Sequence, residues 1–177
     1  MSLFFYRLMG AAMLDGAMYE GIEADRSVTW QAATAVLLSS LAAGFGSGGW
    51  YTGELRLFVM FSVIALITWL AWAVLTFQIG TRVLPEPQTS ATVGELLRTI
   101  GFAASPGLLQ VFAALPAVTL PVFVVSIGWM FAAMVIGVRH ALDYSSTWRA
   151  LAVCGLAAGL VLGLAFLLGV LLGPTVS

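Results

Sequence analysis

Five apolar runs follow one another along this chain, at about residues 28–45, 57–79, 96–115, 122–138 and 150–172, with short polar stretches between them. Each is close to the roughly 20 residues that carry a helix across a bilayer. Ahead of them, Met1 to Ala24 is too poor in apolar residues to span. There Phe4, Phe5, Leu8, Met9, Ala12, Met13 and Tyr19 recur at helical spacing against Arg7, Asp15 and Glu20, which predicts one amphipathic helix lying in the interface. It is not a secretory signal, because Arg7 interrupts the apolar run. The pattern predicts an all-α polytopic membrane helical bundle. Residues 1–26 form its amphipathic N-terminal segment and residues 27–173 its five-span membrane domain.

The third run carries the most local information. Thr92 and Glu95 stand at capping-box spacing, so their side chains would satisfy amides that a first helical turn leaves unpaired. Within the run, Ser105, Pro106 and Gly107 predict a kink at mid-depth. Pro106 has no amide and crowds the Phe102 carbonyl, which needs another donor such as Ser105, a neighbouring helix or a water. Gly44 to Gly49 reads as a flexible turn, Trp50 and Tyr51 as part of an aromatic belt, and Pro116 to Pro121 as a tight return. Trp69 and Trp72 fall at mid-depth of the second run, where each indole N–H wants a partner and packing against a helix backbone is the preferred reading. Thr81 to Ala91, with Pro85 and Pro87, is the longest linker. In the fifth run Gly155, Gly159 and Gly163 recur every four residues and make a groove for close helix packing. Ala133 and Gly137 of the fourth run offer a matching small-residue face, in the same chain or in a second copy.

Composition moves the chain further from soluble proteins: 61% of its 177 residues are hydrophobic and 8% charged, with a mean hydropathy of +1.04. No separate globular domain fits beside the spans. A net charge of −1, with seven arginines and no lysine, leaves no basic patch for nucleic acid. Placing the N-terminus inside puts Arg7, Arg26, Arg82, Arg98, Arg139 and Arg149 on the cytoplasmic side and Arg56 outside, as the positive-inside rule prefers. The C-terminus is then outside, in the cell (inner) membrane. On that cytoplasmic face Glu95, Arg98, Arg139, Asp143 and Arg149 are expected to form a charge network. Glu20, Glu23 and Asp25 are the weak candidates for a divalent cation, but acidic residues before a helix favour its dipole, and no metal or cofactor is expected. His140 is the only histidine, which excludes a multi-histidine site, and it reads as a solvated interfacial residue. Cys154 has no partner for an intrachain disulfide.

Three groups of residues carry a resemblance to a known family. They are Glu23-Ala24-Asp25 with Ser27 and Gln31-Ala32; Gly94-Glu95-Leu96-Leu97-Arg98 with Gly101-Phe102-Ala103 and Ser105-Pro106-Gly107; and Val138-Arg139-His140-Ala141-Leu142-Asp143-Tyr144-Ser145 with Arg149-Ala150. Together they resemble the prokaryotic branch of the Yip1 domain family over about Leu14 to Leu168. The resemblance implies a five-span bundle with a cytoplasmic N-terminus. Its eukaryotic members are associated with Rab GTPases and vesicle traffic, and have a long soluble N-terminal region that this sequence lacks, so a Rab-type partner is not expected. The function expected is a non-enzymatic integral membrane protein acting through helix and cytoplasmic-loop contacts, with the lipid bilayer and a second copy or another membrane protein as partners. The alternative is a passive channel, small-molecule transporter or lipid-translocating protein that uses the broken third helix, with Gln110 and Ser126 lining its path. No charged residue lies deep in a span, so an ion-coupled cycle has no group to titrate. No nucleophile stands at motif spacing to His140, and an enzyme is not expected.

Overall fold

The structure is a computed structural model that describes residues 3–49, 55–115 and 117–172, and all regular elements among them are helical. Trp50, Tyr51 and Pro116 lie outside the described residues, as does residue 173.

Two short helices, not one, precede the spans: α1 is Leu3–Ala12 and α2 is Gly16–Ala24. The amphipathic period runs on through this segment, but Leu14 takes a left-handed φ of 62°. The Asp15 carboxylate then accepts from the amides of Ala17 and Met18, capping a new helix. The chain folds back so that Gly10 lies against Met18. Leu8, Ala11, Tyr19 and Ile22 form the buried face of this hairpin, and Phe5, Met9 and Met13 stay exposed.

The first span comprises α3 (Thr29–Gly44) and a wide π turn, Phe45–Gly49. The second is α4 (Leu55–Gln78), which also ends in a π turn, Ile79–Val83. In the third, α5 (Val93–Phe102) gives way to a 3-10 helix at Ser105–Ala114. α6 (Thr119–Ala141) and α7 (Thr147–Leu172) complete the bundle. α6 begins before Pro121, because a proline in the first turn costs no intrahelical hydrogen bond. The Thr92–Glu95 capping box is present in both halves, Glu95 N–H to Thr92 Oγ1 and Thr92 N–H to Glu95 Oε2.

Among the described residues five segments are long and apolar enough to cross a membrane: Arg26–Ser47, Leu55–Val83, Val93–Ala114, Thr119–Ala141 and Thr147–Leu167. The third is 72% buried and the second 11%, so the broken span is the centre around which the others pack. The outward faces of α4, α6 and α7 are rows of Leu, Val, Ile and Phe, as a hydrocarbon solvent requires.

Close approach at the centre depends on missing side chains. A Cβ at Gly46 would collide with the Gln110 carbonyl, and one at Gly107 with the Ser39 hydroxyl and Met130. The glycine-rich stretch read as a flexible turn is therefore a packing surface.

Candidate functional site

Between α3, α4, α6 and α7, beside the 3-10 helix, the bundle leaves a cavity of about 810 Å³, within the size range of small-molecule sites. Phe61, Trp69, Trp72, Phe131 and Leu162 furnish its apolar side, and Trp72 stacks on Phe131 with centroids 5.9 Å apart. The other wall, from α3 and the 3-10 helix, carries Ser39, Ser40 and Gln110. With three residues per turn, 3-10 winding sets Gly107, Gln110 and Ala113 in one row, and all three are buried. An α-helix would fan those three positions over about 120°.

The polar wall is under-satisfied. Ser39, Ser40 and Gln110 are only 5%, 7% and 6% exposed. Neither serine hydroxyl has a hydrogen-bond partner among the described residues, although Ser62 and Thr34 bond the carbonyl four residues back in the usual way. The Gln110 amide reaches only the Met130 sulfur, at 4.0 Å, and a thioether is a weak acceptor. Trp69 and Trp72 pack against the core, but their indole N–H groups are buried without partners among the described residues. The Ser105 hydroxyl is likewise unpaired, so it does not serve the Phe102 carbonyl. No charged residue among the described ones lines the cavity. Hydroxyls and an amide can bind and orient a molecule there without exchanging protons with it.

At the end of the bundle where α2, α5, α6 and α7 meet, the charged residues satisfy backbone groups more than one another. Arg98, 5% exposed, donates through Nε to the carbonyls of Ile22 and Glu23, at 3.3 and 3.2 Å, and through Nη2 to Glu23 again. It thereby caps the C-terminal end of α2. Glu95 is held in its capping box, and Arg139 donates to the Tyr144 carbonyl at 3.4 Å. Asp143, with φ 53°, accepts from Ser90 at 3.5 Å. Arg149 donates to the Pro85 carbonyl at 2.7 Å and pairs with Glu86 at 3.4 Å. The ion pairs among the described residues are Arg7 with Asp25 and Arg149 with Glu86, and His140 Nδ1 lies 3.4 Å from the Glu20 carboxylate. None joins two of the five residues grouped from sequence.

Glu86 is the functional-looking residue that sequence reasoning passed over. Flanked by Pro85 and Pro87 it reads as linker, yet it is buried and accepts from the Ser145 amide and hydroxyl at 2.9 and 2.8 Å. The Ser145 amide above all, with help from Arg149, holds its carboxyl below the usual range. Beside it the Tyr144 hydroxyl lies 2.8 Å from both the Gly80 and Leu84 carbonyls. Burial pushes that phenol up to about 12. The linker is thus clasped to the turn between α6 and α7. Its signal in the sequence was a carboxylate fixed between two prolines.

The acidic trio diverges. Asp25 turns to Arg7 and Ser27, and Glu20 to His140, which also stacks on Tyr19. Hydrogen bonds from Ser27 chiefly, then Arg7, lower the Asp25 pKa. Burial, then the carboxylates of Asp143 and Glu95, raises that of Glu23 to about 7 against the pull of Arg98. Among the described residues no three His, Cys, Asp or Glu side chains gather in a way that could hold a metal ion.

The two small-residue faces do not meet. Gly155, Gly159 and Gly163 look into open space, with no atom within 4 Å of a Cβ built on them. Gly137 lies against Tyr19 of α2, and Ala133 is fully buried. The N-terminal hairpin occupies the face that α7 would have needed.

A family model described as Yip1 domain matches residues 15–169, from α2 through most of α7. No curated protein and no solved structure matches the chain.

Proposed function

The chain belongs to the Yip1 domain family, and on that premise we propose that this multi-pass membrane protein works by holding a membrane-dissolved apolar molecule between its spans. It does so without covalent chemistry. The observation that carries this reading is the 810 Å³ cavity beside the broken third span, lined by aromatic and aliphatic side chains with one polar wall. Such a volume bounded by helices that face hydrocarbon suits a lipid or lipid-like molecule taken up from the bilayer. The proposed orientation keeps the N-terminus cytoplasmic, with the Arg98 and Glu86 contacts on that side.

Native mass spectrometry of protein extracted in mild detergent tests it. Retained lipid that is displaced when Gly128, a cavity-lining position with free space around it, is changed to Trp supports the reading. An empty bundle with no lipid retained overturns it.

A second reading, assembly through α7, is favoured by the outward row of Gly155, Gly159 and Gly163. A dimer lost on Gly159→Leu would support it, and monomers in both proteins would remove it.

A further inference from the structure

Of the polar side chains that line the cavity, Ser39, Ser40, Ser47, Thr68 and Gln110, three are more than nine-tenths buried and short of partners among the described residues: Ser39, Ser40 and Gln110. The Ser39 hydroxyl lies over Gly107, and Gln110 follows one 3-10 turn later, so α3 and the 3-10 helix carry these groups along the same wall. Two hydroxyls offer donors and acceptors. The Gln110 amide adds two donors and an acceptor, engaged only by a sulfur. Buried polar groups left in this state cost stability unless something pairs with them.

We propose that this patch recognises the uncharged, oxygen-bearing head of a neutral long-chain lipid, with hydroxyl or ester groups of the diacylglycerol kind, while the chains lie against Phe61, Trp72 and Leu162. This rests on the reading of the cavity as a lipid site and adds the class of lipid. The head must be neutral, because among the described residues no Arg, Lys or His lines the cavity to meet a phosphate and no Asp or Glu to meet an ammonium. Burying an unpaired charge there is far less favourable than burying a hydrogen-bonded ester. The head must nevertheless be polar, since a plain hydrocarbon would leave Ser39, Ser40 and Gln110 as they are. Gly107 matters because any side chain there would displace the Ser39 hydroxyl from the patch.

The test uses the full chain in nanodiscs with photoactivatable diacylglycerol and photoactivatable phosphatidic acid carrying the same acyl chains, with labelled peptides mapped by mass. The neutral probe is expected to label α3 and the 105–114 segment about tenfold more than the anionic one, the discrimination that one or two hydrogen bonds supply. In Ser39→Ala/Ser40→Ala/Gln110→Leu that preference should fall to about one while labelling itself persists. Should the triple variant not fold, Ser40→Ala alone is expected to reduce the preference about threefold. Equal labelling of the natural chain by both probes, or a preference that survives the substitutions, overturns the head-group assignment and leaves the cavity reading intact. Labelling by neither probe overturns the cavity reading itself.

Discussion

Arg98 grips the backbone of Glu23 and leaves its side chain alone: Nε stands 3.2 Å from the Glu23 carbonyl, with the Ile22 carbonyl at 3.3 Å. The Glu23 carboxyl is left facing Asp143, Glu95 and Glu20, half-buried, and its pKa rises to about 7. One cation thus secures the end of α2 while four carboxyls share its neighbourhood.

The pH dependence follows from that geometry. Between the ordinary glutamate value and about 7, the folded chain binds a proton at Glu23 that the unfolded chain does not, so stability falls as pH rises through this window. Asp25 and Glu86, whose values are lowered, act in the opposite sense at lower pH and do not interfere. The melting temperature in detergent should be higher at pH 5.5 than at pH 8 by a margin that Glu23→Gln removes, chiefly by raising the pH 8 value. A slope identical in both proteins would refute the assignment to Glu23.

Arg98→Met should cost about 2 kcal/mol, the scale of hydrogen bonds to a charged group lost in a buried setting. Arg98→Lys should recover less than half, since an ammonium lacks the planar fork that meets two carbonyls. Thermal unfolding measures both, and limited proteolysis between Leu14 and Asp25 should accelerate first, because α2 loses its anchor. Equal stability of all three proteins would remove Arg98 as a cap.

Glu86→Ala should release the linker by leaving the Ser145 and Arg149 donors without their acceptor. Cleavage within residues 84–91 by an added protease is the readout, with a several-fold rise expected. Glu86→Gln keeps an acceptor oxygen for Ser145 and should fall between. A linker as protected in Glu86→Ala as in the natural chain would show that the clasp is dispensable.

Gly46→Ala should destabilise by about 1–3 kcal/mol, since its methyl would meet the backbone at Gln110. Gly159→Ala, with open space around it, should be neutral or stabilising by up to about 1 kcal/mol through helix propensity. Unfolding of the two variants in the same detergent compares them directly, and the reverse order would mean that the close contact at Gly46 is not made.

The five spans and the Thr92–Glu95 cap were legible because hydropathy and capping are local, and a bilayer makes local hydropathy decisive. Leu14 and Asp15 were not, since the apolar period continues on both sides of the break and hides the new N-cap. Charged residues grouped by sequence spacing, such as Arg139 and Asp143, found other partners. Spacing reveals which charges share a face and is silent on which carbonyls at helix ends lie within a guanidinium's reach. Glycine spacing did not show which glycines pack within the chain: the regular row at 155, 159 and 163 looks outward, and the irregular pair Gly46 and Gly107 permits the central contact. Ser39 and Ser40 look like ordinary helix hydroxyls until the carbonyls behind them prove unoccupied by them.

The 3-10 winding of Ser105–Ala114 ties the reach of the third span to the aim of one amide. Relaxing those ten residues to α geometry would shorten the segment by about 5 Å and swing Gln110 about 100° around the axis relative to Ser105. The three-residue turn is therefore what sets the Gln110 amide on the same side as Gly107, over which the Ser39 hydroxyl lies.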